Sequence, residues 1–244
     1  MTEEKNHIQY QQSTEKIKAT PSSDSKKAQK PRRIDGTYIL SEIAGTFNFD
    51  KGLFYTIREL LLRPGRTVQT FILEDRNRLV KPILFLIICS FIYTLLQKYL
   101  GFEDGYMNYS FDDDSTSLYL FGSVTKNYGY ANIFISLFIA AWIKVFFRKH
   151  NFNFFEILVL LCFLIGTGML IFSFFASLDS LTGLPIIDKG FLIGVLYISW
   201  GTGSFFPGSK ILNPLKGLLT YLLGLISFII LLLMMGSLVD KMLG

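Results

Sequence analysis

Five nearly charge-free apolar stretches, 82–96, 130–147, 154–176, 191–206 and 217–238, dominate the second two-thirds of the chain. Each approaches the roughly 20 residues that a helix needs to cross a hydrocarbon core. Lipid offers no partner to a backbone N–H or C=O, so a spanning segment must pair those groups internally, and a helix does so within itself. Only 18% of the 244 residues are charged, against about a quarter in a soluble domain. A short soluble chain could not hide five such faces. The expected fold is all-α: a polytopic membrane protein with about five transmembrane helices over 82–244, preceded by an amphipathic helical hairpin on the cytoplasmic side.

The N-terminal third is different in kind. Residues 1–36 are rich in Glu, Gln, Ser, Lys and Pro and nearly lack large apolar side chains, so they should remain a disordered cytoplasmic tail. They lack the apolar run of a signal peptide, which makes Met1 the expected mature start. The basic run 26–33 reads either as electrostatic attachment to a membrane or as a solvated linker.

Residues 37–81 read as basic amphipathic juxtamembrane helices. Asp50 can cap a first helix with Leu53, Phe54, Ile57, Leu60 and Leu61 on one stripe and Lys51, Tyr55, Arg58 and Glu59 opposite. Pro64 ends it, because proline removes a backbone donor and disfavours helical geometry at Arg63; Gly65 supplies the bend. A second helix places Val68, Phe71 and Ile72 on one side, and Glu74, Asp75, Arg76 and Arg78 form a polar collar before Pro82 opens the first crossing. Arg58, Arg63, Arg66, Arg76, Arg78 and Lys81 crowd that entrance and are the candidate contacts to anionic headgroups or to a cytoplasmic partner protein. An ordinary positive-inside collar would account for the same residues.

Loop charge orients the chain. The loop 97–129 carries Glu103, Asp104, Asp112, Asp113 and Asp114, and the third connection carries Asp179 and Asp188. Lys144, Arg148 and Lys149, then Lys210 and Lys216, mark the alternate connections. This alternation predicts the N-terminus in the cytoplasm and the C-terminus outside a bacterial inner membrane.

Phe49-x-x-Gly52, Thr56, Leu60-Leu61, Arg63-Pro64-Gly65, Arg76 and Pro82 resemble the signature of a bacterial family of uncharacterised multi-pass membrane proteins, domain of unknown function 3667. The resemblance covers roughly residues 37–100 and implies architecture without an activity. Members of that family often begin with a paired-cysteine zinc ribbon. This chain has no cysteine before Cys89, so no zinc is carried over. A weaker resemblance, at the level of fold, is to Yip1-type trafficking proteins with five crossings.

Within the spans the chemistry is sparse. Lys144 and Glu156 could pair across a helical hairpin, and Ser90, Tyr93, Thr94, Ser136, Thr167 and Ser173 could hydrogen-bond between helices. Gly217, Thr220, Gly224 and Ser227 form a small-residue face for another helix, internal or from a second copy. The fourth stretch, with Gly201, Gly203, Pro207 and Gly208, reads either as an interrupted helix exposing carbonyls to a ligand or as a short helix ending at an aromatic belt. Cys89 and Cys162 read as apolar filler. Asp112-Asp113-Asp114 could attract calcium but lacks the spaced ligands of an EF-hand, so a solvated acidic loop is expected. His7 lies in the tail and His150 in a basic turn, so the sequence offers no histidine cluster to hold a metal. No catalytic residue, metal, cofactor or nucleic-acid partner is expected. A non-enzymatic scaffold or adaptor is the leading expectation, and a small oligomeric transporter or channel the alternative.

Overall fold

The computed structural model describes residues 52–101 and 128–243. The tail 1–36, Asp50 and the acidic loop residues 112–116 lie outside the described residues. Within these there are seven helices and no strand: α1 Leu53–Leu62, α2 Pro64–Leu73, α3 Pro82–Leu100, α4 Tyr128–Phe146, α5 Phe154–Thr182, α6 Ile187–Phe205 and α7 Leu212–Leu243. Proline and glycine punctuate them as their backbone chemistry requires. Pro64 and Pro82 open α2 and α3, where an N–H would have no helical partner in any case. Gly101 and Gly183 end α3 and α5 in the left-handed region, at φ 63° and 69°. Gly52 holds the N-cap position of α1, two residues past the aspartate expected there.

The architecture turns on α5. It packs against α1, α2, α3, α4 and α6, while α7 packs on α4 and α6. Among the described residues three helices, α3, α5 and α7, are long and apolar enough to cross a membrane, and the protein is a helical membrane protein. The apolar window of α5 is 72% buried within the molecule, against 22% for those of α3 and α7. The all-round apolar helix therefore lies inside, and the other two turn an oily side outward. α4 adds a shorter apolar stretch, Asn132–Phe146. α6 is interrupted in composition by Asp188, Lys189 and four glycines and is not among the long apolar helices.

At 29 residues, α5 is about 43 Å long, more than a hydrocarbon core of ~30 Å requires. Phe85, in the first turn of α3, meets Phe163 with centroids 5.6 Å apart. The stretch of α5 before Phe163 thus projects past the start of α3. The hairpin α1–α2 packs onto that projection and onto the end of α6, and hairpin and bundle fall in one compact unit.

The suspected interruption in the fourth stretch is absent. α6 is continuous through Phe205, and its glycines admit neighbours. A Cβ on Gly201 would lie 2.4 Å from the Leu164 side chain of α5, and one on Gly203 would lie 2.2 Å from the backbone nitrogen of Pro214 in α7. The residues that look like helix breakers are contact points, because only hydrogen at these positions lets the axes approach so closely.

Two sequence expectations are corrected. Thr94, Ser136 and Ser173 donate to carbonyls three or four residues earlier in their own helices rather than to other helices, whereas Thr167, besides donating to the Phe163 carbonyl, shares a side-chain hydrogen bond with Tyr197 of α6, as expected between helices. An apolar surrounding leaves the preceding turn as the nearest acceptor. Lys144 does not pair with Glu156: its Nζ donates to the Phe152 carbonyl at 2.6 Å. Glu156 instead closes a capping box, accepting from the Asn153 N–H at 2.7 Å while the Asn153 side chain accepts from the Glu156 N–H at 2.8 Å. Replacing Glu156 with Ala should cost about 1 kcal/mol through the lost cap. Combined with Lys144→Ala, the effects should add within about 0.5 kcal/mol when measured by chemical unfolding in micelles.

Candidate functional site: the basic hairpin, its seam and its cleft

Val68, Phe71 and Ile72 on α2 are buried, with Phe71 edge-on to Phe163 of α5 at 5.2 Å. On α1 the buried residues are Thr56 and Leu60, with Leu53 and Ile57 partly covered. This corrects the expected stripe: Phe54 is 85% exposed and Leu61 is exposed. The inward face is rotated because a polar residue belongs to it. The Thr56 hydroxyl accepts from the Val80 N–H at 3.1 Å in a buried position, tying α1 to the segment two residues before α3.

The seam joins helix ends in pairs. Tyr197 of α6 donates its hydroxyl to the Leu60 carbonyl at 3.1 Å, near the end of α1, where carbonyls lack helical donors. The Gly65 N–H, at the equally unpaired start of α2, donates to Ser204 Oγ at 3.2 Å. Gln69 returns the contact, its amide donating to the carbonyl of Phe205, the last residue of α6. The Phe206 carbonyl accepts from Asn213 Nδ2 at 2.9 Å. Gly65 is required sterically, since a Cβ there would stand 2.3 Å from the Ser204 carbonyl carbon. Next to this seam Phe147 stacks on Phe206 at 4.1 Å and Phe152 tilts on Phe205 at 4.5 Å.

A polar cleft of about 240 Å³ opens on the hairpin, lined by Glu59, Arg63 and Arg66 near the bend and by Thr67, Thr70, Glu74 and Arg78 beyond it. Arg78 donates to the Tyr55 hydroxyl at 3.0 Å and pairs with Glu59 at 3.2 Å. The Tyr55 bond chiefly, opposed by desolvation and assisted by the Glu59 carboxylate, raises the Arg78 pKa above its ordinary value. Of the six basic residues singled out from the sequence, the fold gathers Arg63, Arg66 and Arg78 about this cleft. Arg58, Arg76 and Lys81 are not among its lining residues.

Residues 50–94 match the family described as Protein of unknown function (DUF3667). The match runs from the start of the hairpin into α3 and shows, for that segment, the resemblance carried by Thr56, Arg63-Pro64-Gly65, Arg76 and Pro82. The family's description assigns no activity. No curated protein and no solved structure matches the chain.

The small-residue face of α7 meets other helices of the same molecule. A Cβ on Gly217 would come 2.6 Å from the Ser199 carbonyl oxygen of α6, and one on Gly224 would come 2.5 Å from Ile139 of α4. Thr220 is buried and bonds to the Gly217 carbonyl, and Ser227 accepts from Trp142 Nε1 at 2.9 Å. Among the described residues no three His, Cys, Asp or Glu side chains gather into a metal-binding group.

Sequence reasoning missed Tyr197, Gln69 and Ser204 as seam residues. Tyr197 and Ser204 look like ordinary polar residues of an apolar stretch, and Gln69 is one polar residue among several on α2. No local pattern reveals the partner of any of them, since each contact joins residues more than 130 positions apart. Tyr197→Phe should lower stability by about 1 kcal/mol, and Gly65→Ala should cost more because two backbones must separate. Thermal unfolding in micelles, together with the protease sensitivity of the α1–α2 bend, reads both effects.

Proposed function

We propose that this integral membrane protein is a non-enzymatic scaffold or adaptor whose hairpin engages anionic headgroups or a cytoplasmic protein. The observation that supports this is the combination of a fixed inner face and a charged outer face on one hairpin. The seam bonds hold α1 and α2 to the bundle, while Arg58, Arg63 and Arg66 remain exposed. Beside them Phe54, Leu61 and Leu62 are exposed apolar side chains. Cations interleaved with apolar groups suit the boundary between headgroups and acyl chains.

In this reading α3 to α7 make five crossings of a bacterial cytoplasmic membrane, with the hairpin inside and the C-terminus outside. The hairpin end also carries Arg148 and Lys149 after α4 and Lys210 before α7, and the opposite end carries Asp179 and Asp188, the asymmetry expected of that orientation. In reconstituted bilayers, spin-labelled phosphatidylglycerol should be motionally restricted by the protein in preference to phosphatidylcholine. Neutralising Arg58, Arg63 and Arg66 to Gln should abolish the preference. Equal restriction of both lipids by the unmodified protein would refute the lipid contact, and ion or solute flux through proteoliposomes that survives the three replacements would favour a transporter instead.

A further inference from the structure

Arg63 and Arg66 face the cleft without a counter-ion or side-chain hydrogen bond among the described residues, although two carboxylates line the same cleft. Glu59 is taken by Arg78 at 3.2 Å, which cancels one charge of each sign. Thr67 is also committed, its hydroxyl donating to the Glu59 carbonyl at 3.2 Å. That leaves two guanidinium groups, the exposed carboxylate of Glu74 and the hydroxyl of Thr70, which makes no hydrogen bond among the described residues. The remaining charge is one positive.

Helix geometry concentrates this chemistry. Arg66 and Thr70 are four residues apart on α2 and share a face. Arg63 precedes Pro64 at the start of the same ten-residue helix, where the peptide dipoles point their positive end. Guanidinium forks match the paired oxygens of a phosphate, and bonds between charged partners are the stronger class of hydrogen bond.

Two exposed leucines outside the cleft's lining adjoin it in sequence, Leu62 before Arg63 and Leu73 before Glu74. Leu73 is 43% exposed, and its position three residues after Thr70 and seven after Arg66 puts it on their face of α2. Leu62, 59% exposed, is three residues after Glu59 on α1. A free phosphate would gain nothing from either leucine. A lipid would, because its phosphate leads directly to glycerol and acyl chains.

We infer that this cleft is a discrete site for one phospholipid, whose singly charged phosphodiester lies between Arg63 and Arg66 with Thr70 donating to it, and whose glycerol end lies against Leu62 and Leu73. The inference deepens the proposed lipid contact, replacing a diffuse basic surface with a stoichiometric site.

Native mass spectrometry of the full chain from micelles containing phosphatidylglycerol tests it. One adduct per chain is expected, with the bound fraction reduced about tenfold in R63Q/R66Q and little changed in K210Q, an exposed basic residue at the same end but outside the cleft. Both arginines are exposed, so the double variant should fold, and an unchanged unfolding temperature would verify this. Retention of the adduct in R63Q/R66Q, or an equal loss in K210Q, overturns the site. Displacement of the lipid by equimolar glycerophosphoglycerol overturns the lipid as occupant and assigns the cleft to a soluble phosphodiester. An adduct insensitive to R63Q/R66Q, with the bilayer preference for phosphatidylglycerol intact, would remove the site and leave the broader lipid contact standing. A sensitive adduct without bilayer preference would do the reverse.

Discussion

Every helix end in a water-poor setting leaves carbonyls or N–H groups that the helix itself cannot satisfy, and the join between hairpin and bundle answers that constraint. The Leu60 carbonyl accepts a hydrogen bond from the Tyr197 hydroxyl, the Gly65 N–H finds Ser204, and the Phe205 and Phe206 carbonyls find Gln69 and Asn213. Each bond is worth about 1 kcal/mol net, whereas leaving one such group buried and unpaired costs about 1–3 kcal/mol. The bonds therefore contribute more to register than to affinity. Apolar burial of Leu60, Val68, Phe71 and Ile72, at about 1.5–3 kcal/mol each where water is displaced, supplies the larger attraction. It has little directional preference and would tolerate several docking angles.

The same division of labour governs the bundle. Between helices already in lipid the hydrophobic effect is weak, so close approach must come from shape. Gly201 against Leu164, Gly203 against Pro214 and Gly224 against Ile139 provide it. α5, apolar around its whole circumference, can satisfy neighbours on all sides, and its excess length gives the hairpin a post outside the remaining bundle. Asp179 shows how one residue meets two demands. It marks the acidic end of the molecule, and its carboxylate also accepts from the Ile186 and Ile187 N–H groups at 2.6 and 3.1 Å, capping the start of α6. The charged outer face of the hairpin follows from this construction. Because α1 and α2 are held from within, their arginines are presented by a fixed scaffold, and a fixed pair of guanidinium groups can select a ligand where a mobile basic tail would only attract charge.

Periodicity and composition determined the all-helical class, the Pro64 break, the inward set Val68, Phe71 and Ile72, and the family resemblance over the hairpin, because these depend on residues within a few turns of each other. Hydropathy likewise placed the apolar stretches, since transfer into lipid depends on local composition. Only the tertiary structure decided which arginines share a cleft, that the glycines of α6 admit neighbours rather than break the helix, and that Glu156 caps α5 rather than pairing with Lys144. It also turned Thr56 inward and Phe54 outward. In each of these cases the side chain's partner is set by how helices distant in sequence are brought together, and a polar group low in solvent takes whichever acceptor or donor that packing leaves nearest.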